Sequence, residues 1–302
     1  MILSVSRRTD IPALYSDWFF DRIKEGFFLV PSPMIENGKI AKVRIEPVKI
    51  ETNLLGGKTI SGNVDGIVFW TKNPRPMMAR LDELDGFTYI FLFTLNSYDK
   101  EFETNLPSFE ERIKTFQELS QRIGADRVIW RYDPIFLSKD ISVDWHVQQF
   151  ENLAKQLSGY TKCCKVSFLI GKHSDIGTPN FSQKNEIIKH ISRIAKQNDI
   201  QVEACADEVD FRRYGVKPSK CIDPILWEKL LNAKVKSKKL DKQRKYCGCM
   251  PCVDIGIYNT CTHGCLYCYA NGFYGYRGEP KTMLDEMKGE IYERKTERIF
   301  EY

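Results

Sequence analysis

Residues 105–135 read NLPSFEERIKTFQELSQRIGADRVIWRYDPI, and they join a helix signal to a strand signal. Ser108 is followed three residues later by Glu111, which is the pattern of a capping box and predicts a helix over 108–123. The run RVIWRY at 127–132 is almost continuously apolar and is typical of a parallel strand buried on both faces. This stretch therefore predicts one helix-to-strand step of an α/β fold.

The same alternation continues on both sides of this stretch. Helical periodicity returns twice, and short runs rich in β-branched and aromatic residues return six times. About seven βα units predict a parallel sheet that closes as a full or partial TIM-like barrel, with 27–65 as an excursion on its rim. The further helices are expected at 144–157 and 182–197, and the further strands at 2–6, 66–70, 89–95, 165–170, 200–204 and 253–258.

Length and composition favour a protein of the cytoplasm. The chain has 302 residues, 42% of them hydrophobic, which is enough to bury a large core. Its longest apolar runs fall short of the roughly 20 residues that a membrane helix needs, and its first residues reach charge too early for a signal peptide. Ten cysteines in such a chain point to metal binding or thiolate chemistry rather than to disulfides.

The positive charge of the chain is concentrated in one segment. Residues 234–245 carry seven Lys or Arg and one Asp, so this segment accounts for the whole net charge of +5 and the remainder is close to neutral. Blocks of like charge are usually solvated linkers, which is the favoured interpretation here. The alternative is a patch that binds nucleic acid or an acidic partner.

Three cysteines follow the strand predicted at 253–258. Cys261, Cys265 and Cys268 form a C-x3-C-x2-C pattern. Three thiolates on one loop can hold three irons of a [4Fe–4S] cluster and leave the fourth iron open, whereas structural zinc needs four protein ligands. The alternatives are a zinc site completed by His263 or a distant cysteine, and thiols without a metal.

The segment CLYCYA at 265–270 resembles the cluster loop of radical S-adenosylmethionine (SAM) enzymes, in the version found in relatives of spore photoproduct lyase. The resemblance implies that Cys261, Cys265 and Cys268 bind the cluster and that the Tyr267 backbone lies against the adenine of SAM. It further implies reductive cleavage of SAM to a 5′-deoxyadenosyl radical, with flavodoxin or ferredoxin as the electron donor. A small molecule is the expected substrate, and its identity is open.

The order of the parts departs from that superfamily, in which the cluster strand comes first. Residues 105–135 are similar to the middle of the photoproduct-lyase-like domains. With SRRTDIP at 6–12 and late cysteines, the chain is similar to an uncharacterised bacterial family noted for radical-SAM-like C-terminal cysteines. The resemblance implies a circularly permuted core, with 253–258 as first strand, 282–300 as its helix and 2–6 as second strand. The strands at 253–258 and 2–6 should then pair in parallel.

This interpretation divides the chain into three parts. Residues 1–204 hold the main part of the barrel, residues 205–252 a cysteine-bearing insertion with the basic linker, and residues 253–302 the first strand, cluster loop and helix. The termini of adjacent βα units lie close together, so a barrel tolerates such a permutation.

A second cysteine set lies in the insertion. Four thiolates can hold another [4Fe–4S] cluster or a zinc ion, and unligated thiols are the remaining alternative. Family resemblance favours Cys205, Cys221, Cys247 and Cys249, with Cys252 as a fifth candidate. Cys205 and the pair at 247 and 249 enter from opposite ends of their strands, so a long loop has to bring them together.

Polar residues at the predicted carboxyl ends of strands complete the candidate site. Arg131 or Lys72 is a candidate for the SAM carboxylate, and Asp10 or Asp133 for the ribose hydroxyls. A layer of Arg–Asp ion pairs is the alternative for these residues. The candidate catalytic residues are Arg7, Arg8, Asp10 and Lys72, and the candidate cofactor-binding residues are Tyr267, Arg131, Asp133, Thr94 and Lys72.

Three functions follow, in order of preference. The first is a radical SAM enzyme with one [4Fe–4S] cluster, or two. The second is a zinc-stabilised module that binds nucleic acid through 234–245, and steep loss of binding with salt would support it. The third is a lyase-like enzyme that repairs a nucleic-acid lesion, which rests only on analogy of fold.

Overall fold

The computed structural model describes residues 1–31, 40–54, 57–170, 176–236, 240, 244–270, 291–296 and 298–302. The three helices predicted from periodicity are confirmed as α4 (Phe109–Ile123), α5 (Val143–Leu157) and α6 (Phe181–Gln197), and each begins after a side chain that caps it. For α4 this is the predicted capping box of Ser108 and Glu111. The helices are α1 (Ile11–Leu14), α2 (Ser16–Glu25), α3 (Arg75–Met78), α4 (Phe109–Ile123), α5 (Val143–Leu157), α6 (Phe181–Gln197) and α7 (Pro224–Leu231).

The strands of the described residues are β1 (Ile2–Val5), β2 (Phe27–Pro31), β3 (Ile40–Arg44), β4 (Lys49–Thr52), β5 (Lys58–Ser61), β6 (Gly66–Thr71), β7 (Tyr89–Thr94), β8 (Val128–Ile135), β9 (Cys163–Phe168), β10 (Gln201–Cys205), β11 (Lys217–Ser219), β12 (Lys234–Val235), β13 (Cys252–Asp254), β14 (Ile291–Glu293) and β15 (Phe300–Glu301). Eight of these strands form one parallel sheet in the order β11-β10-β9-β8-β7-β6-β1-β13. Three smaller groups, β14-β3-β2, β4-β5 and β12-β15, lie outside it.

The predicted pairing of the late strand with the first strand is confirmed. Strand β13 lies parallel to β1, with Val253 opposite Leu3. The Ile255 N–H donates to the Ser4 carbonyl at 3.1 Å, which extends the pairing beyond β13. Gly256 follows directly, and a Cβ there would lie 1.9 Å from the Ser6 hydroxyl oxygen, so this close approach requires glycine.

The α/β fold is confirmed, but a closed barrel is not found. In the sheet order β11 and β13 stand at opposite edges, and no pairing between them occurs within the described residues. The excursion after α2 forms the β2-β3 and β4-β5 hairpins, which belong to separate sheets.

The helix predicted over 282–300 is wrong for the described residues of that range. Ile291–Glu293 pair in parallel with β3, and Phe300–Glu301 pair with β12. A β-branched and an aromatic residue at the start of β14 suit a strand, and the open edge of β3 supplies its backbone partners. Residues 282–290 lie outside the described residues.

The two faces of the sheet are covered differently. Helices α4, α5 and α6 pack on one face, where Phe116, Phe150 and Ile187 join the main core. Helix α7 covers the opposite face through Trp227, which packs with Val68 and Leu92. None of the helices in the described segments is long and apolar enough to cross a membrane.

A buried histidine locks the end of β8 to α5. His146 is fully buried, its Nε2–H donates to the Phe136 carbonyl at 2.7 Å, and its Nδ1 accepts from the Tyr132 hydroxyl at 2.8 Å. Burial lowers the pKa of His146 to about 4, although the hydrogen bond to Phe136 opposes the shift. The imidazole is therefore neutral in the folded protein near pH 7.

This histidine should make stability depend on pH. Between about pH 4 and pH 6.5 the unfolded chain binds the proton that folded His146 excludes, so the free energy of unfolding falls as pH drops. We expect the loss due to His146 to be about 2 kcal/mol from pH 7 to pH 5. Urea unfolding at both pH values should show a smaller loss in His146→Gln, and an equal loss in both proteins would contradict this role.

Candidate functional site

The cysteine loop is fastened to the chain that follows β7. The Asn105 N–H donates to the His263 carbonyl at 3.0 Å, and the Leu266 N–H donates to the Phe102 carbonyl at 2.9 Å. The Asn105 side-chain amide donates to the Thr262 carbonyl at 2.7 Å. The loop after β13 and the loop after β7 thus form one unit at the carboxyl edge of the sheet.

The three cysteines of this loop share one small, half-buried region. Burial raises the pKa of Cys261 to about 12 and that of Cys265 to about 12, and the nearby thiol of Cys268 contributes to both shifts. The Cys268 N–H donates to the Cys265 carbonyl at 3.1 Å, which closes a turn between these two residues.

The donor set fits an iron–sulfur cluster in its chemistry. Soft thiolate donors on one loop suit iron–sulfur clusters, and three of them leave one iron open. Within the described residues, no group of three or more His, Cys, Asp or Glu side chains is already arranged as a metal site. The case for a cluster therefore rests on the donors and their position.

The Asp10 carboxylate contacts three parts of the chain, namely helix α1, the end of strand β6 and the cysteine loop. Its carboxylate accepts from the Lys72 backbone N–H at 2.7 Å, from the Thr71 hydroxyl at 2.7 Å and from the Ala13 N–H, which it caps at 3.1 Å. His263 Nε2 lies 2.8 Å from the same carboxylate, and both side chains are buried. Asp10 therefore connects β6 and α1 to the cysteine loop.

Lys72 belongs to a buried ionic cluster beneath the loop. Its Nζ lies 2.6 Å from the Glu103 carboxylate and 2.9 Å from the Tyr267 hydroxyl, which also donates to Glu103. Arg112 lies 2.8 Å from the other Glu103 oxygen. Burial opposes ionisation of Glu103, but the charges of Lys72 and Arg112 outweigh it and lower the pKa of Glu103.

Arg131 and Asp133 form a close ion pair on β8. Burial opposes the charge of Arg131, yet Asp133 raises the pKa of its guanidinium. The Arg131 guanidinium carbon lies 5.0 Å from the ring centre of Trp70, and that of Arg7 lies 5.7 Å from the same ring. Thr94, which is buried, is paired with Arg131 in the register of β7 and β8.

Arg7 and Arg8 bind the strand that precedes the cysteine loop. The Arg7 N–H donates to Asp254 at 2.9 Å, and its guanidinium donates to Cys252 Sγ at 2.8 Å. The Arg8 guanidinium donates to the Gly256 carbonyl at 3.2 Å. Both arginines therefore hold β13 and its continuation beside β1.

The second cysteine set is brought together on the face that α7 covers. Cys205 Sγ lies 3.5 Å from Cys221 Sγ, and the Cys221 N–H donates to Cys249 Sγ at 3.2 Å. A hydrogen bond with Cys249 lowers the pKa of Cys247 to about 6. The chain between residues 205 and 249 thus brings these four cysteines close to one another, as the sequence analysis required.

Three cations surround this set. The Arg244 guanidinium lies 3.5 Å from Cys205 Sγ, and Arg131 and Lys165 are close enough to favour a thiolate at Cys221. Hydrogen bonds with Cys205 and Cys249 are the main cause of the lowered pKa of Cys221. The environment therefore favours anionic sulfur at Cys221 and Cys247, whereas the hydrogen bonds with Cys221 raise the pKa values of Cys205 and Cys249.

A family model described as "Domain of unknown function (DUF1848)" matches residues 2–270. The chain belongs to this family. The match runs from β1 to the end of the cysteine loop, so both cysteine sets of the DUF1848 chain lie within it. No curated protein and no solved structure matches the chain.

Several residues of the DUF1848 site escaped sequence reasoning. Glu103 and Arg112 lie in a loop and on a helix where their charges look like ordinary surface charges. Trp70 lies within a predicted strand, and the sequence does not indicate that two guanidinium groups lie over its ring. The one available signal was the position of Glu103 in the segment that follows β7, nine residues after Thr94.

Proposed function

We propose that this protein is a cytoplasmic radical SAM enzyme that acts on a small molecule. The observation that carries the proposal is the position of the C-x3-C-x2-C loop. It follows β13 at the carboxyl edge of a parallel sheet, and β13 lies beside β1. Ligand and catalytic sites of parallel α/β folds collect at that edge.

The sheet order supports a circularly permuted radical SAM core. Read from β13, the strands run β13, β1, β6, β7, β8, β9, β10 and β11, so neighbours in the sheet follow one another once the chain is joined end to end. This is the order of a βα barrel that begins at the cysteine strand. We propose that the sheet is such a barrel left partly open.

Cys261, Cys265 and Cys268 are proposed to hold three irons of a [4Fe–4S] cluster. When bound, the cluster would supply the electron that cleaves SAM reductively to methionine and a 5′-deoxyadenosyl radical. The protein contributes orientation and exclusion of water. Tyr267 is proposed to support both tasks, because its ring packs with Tyr98 and Phe136. Its backbone is proposed to lie against the adenine.

The polar residues of the site have proposed roles that agree with their contacts. Asp10 and Lys72 are proposed to position the loop, since their carboxylate and ammonium groups are bound within the protein. Arg131 is proposed to face the SAM carboxylate and Asp133 the ribose, with Thr94 beside them in the sheet. Arg7 and Arg8 remain candidates for contact with the substrate.

The second cysteine set is proposed to hold a second [4Fe–4S] cluster. Four thiols are the number that a cluster with every iron ligated requires, and the same donors also suit zinc. A second cluster would relay electrons from a flavodoxin or ferredoxin. Zinc at this position would instead favour the other candidate function, a nucleic-acid-binding module, which the exposure of Arg244 and Lys245 beside the set supports.

Anaerobic reconstitution tests the proposal. With both cysteine sets loaded, the protein should contain about eight irons and eight sulfides per chain, and about four if only one set is loaded. Dithionite-reduced protein should convert SAM to 5′-deoxyadenosine. A protein that takes up zinc in place of iron and forms no 5′-deoxyadenosine would refute the function.

A further inference from the structure

A basic surface surrounds the second cysteine set. The segments 217–222 and 244–250 contain four cationic residues and no carboxylate. We call Lys217, Lys220, Arg244 and Lys245 the basic face, and all except the half-buried Lys220 are exposed. The two segments meet in space, because the Lys220 side chain lies within 3.3 Å of a Cβ placed on Gly248.

One thiol of the second set reaches this face. Cys205, Cys221 and Cys249 are buried, whereas Cys247 is half-exposed. Its neighbour Tyr246 is 46% exposed, and the Lys245 ammonium lies 5.2 Å from the ring centre of Tyr246. Exposed tyrosine and cationic side chains next to a half-exposed thiol make a suitable contact surface for a protein partner.

The segment that fastens the first cysteine loop has the opposite charge. Residues 99–111 carry five carboxylates and one cation. The first loop also lies where SAM and substrate would bind under the proposed function. An acidic partner is therefore attracted to the basic face and repelled from the other entrance.

A chain of contacts leads from Arg131, whose charge acts on the thiols of Cys205 and Cys221, toward the first set. The guanidinium carbons of Arg131 and Arg7 lie 5.0 Å and 5.7 Å from the ring centre of Trp70. The Tyr269 hydroxyl donates to the Arg7 carbonyl at 2.5 Å, and Tyr269 directly follows Cys268 in the sequence. These contacts connect the neighbourhood of the second set to the first cysteine loop.

We propose that an acidic one-electron donor protein docks on the basic face at Cys247, so that electrons enter at the second cysteine set. The inference rests on the proposed function. The donor's reduced flavin or iron–sulfur centre would lose one electron, and the metal centre that the second set would hold would gain it, with no bond made or broken. The electron would then pass toward the first set.

Binding of an acidic flavodoxin to the reconstituted protein tests the docking site. Lys217→Glu combined with Lys245→Glu should weaken binding, measured calorimetrically at low salt, by about tenfold or more. Added salt should weaken binding to the wild type more than to this variant. The control Lys189→Glu/Arg193→Glu reverses two exposed charges on α6 and should bind like the wild type.

A comparison of electron sources separates this inference from the proposed function. With dithionite as reductant, the Lys217→Glu/Lys245→Glu variant should cleave SAM at the wild-type rate, and only the flavodoxin-driven rate should fall. Equal flavodoxin affinity in the three proteins would overturn the docking site while leaving the enzyme intact. Binding of a single-stranded oligonucleotide that competes with flavodoxin, or excludes it, would assign the face to nucleic acid instead. Absence of dithionite-driven cleavage would refute the proposed function itself.

Discussion

Replacement of Cys265 by alanine is expected to abolish formation of 5′-deoxyadenosine. Cys265 is the middle cysteine of the C-x3-C-x2-C loop, and its backbone bridges to Glu103, so it lies at the point where the loop is fastened to the sheet. With two thiolates left, one further iron of the cluster would lose its protein ligand. Iron should fall from about eight to about four per chain, because the second set is untouched.

The matched control is Cys163→Ala. Cys163 is the first residue of β9, far along the sheet from the carboxyl edge, and belongs to neither proposed ligand set. This variant should keep its iron and its SAM cleavage. Iron content and 5′-deoxyadenosine, measured by chromatography after reduction, decide the outcome. Full turnover in Cys265→Ala would remove the loop from the proposed mechanism.

The second large effect is expected for Glu103→Gln, which should lower the free energy of unfolding by about 3–5 kcal/mol. Glu103 is 1% exposed and contacts both Lys72 and Arg112, so loss of its charge leaves two buried cations without their counter-ion. The pKa of Glu103 is lower in the folded protein than in the unfolded chain. The stability that its charge contributes is therefore fully present above the pKa of the unfolded state, and it is lost as the pH falls through the lower pKa of the folded state. Urea unfolding at pH 7 measures the change.

Two further variants test the cause of this loss. The exposed pair Lys229–Asp126 has its charged atoms 3.4 Å apart, and Lys229→Ala should leave the unfolding midpoint nearly unchanged. Combining Glu103→Gln with Arg112→Gln should cost less than the sum of the single changes, because the second change removes one of the stranded cations. Additive losses, or a loss for Glu103→Gln within experimental error, would contradict the ionic role.

Local patterns were enough to predict much of the sheet. The capping box at Ser108 and the apolar run of β8 depend on residues near one another in the chain, and both are as predicted. The neighbourhood of β13 and β1 spans about 250 residues, yet it followed from the strand alternation together with the resemblance to a permuted core.

Features set by distant contacts could not be predicted in this way. Strand β14 pairs with the open edge of β3, and residues 291–293 contain no pattern that identifies β3 as their partner. The same holds for Glu103, whose burial depends on Lys72, Arg112 and Tyr267 arriving from other parts of the chain. A charge pattern along the sequence does not reveal whether a carboxylate meets water or two cations.

The place of Asp10 in the fold could be predicted from the sequence, but its contacts could not. Its position after β1 correctly suggested a place at the carboxyl edge of the sheet, but its partners were open. In the structure it caps α1 and binds His263 of the cysteine loop, so its proposed role is to position the loop. The position of Asp10 relative to a strand thus predicted where this side chain lies. Its proposed role follows only from its contacts in the three-dimensional structure.

The most direct test of the central claim is the EPR spectrum of the anaerobically reconstituted, dithionite-reduced protein with and without SAM. An open iron at the Cys261, Cys265 and Cys268 loop predicts the signal of a reduced [4Fe–4S] cluster that changes when SAM is added. The change should be absent in Cys265→Ala, which retains only the second set. A spectrum without a reduced cluster signal, or one that is identical with and without SAM, would contradict the assignment of this protein as a radical SAM enzyme.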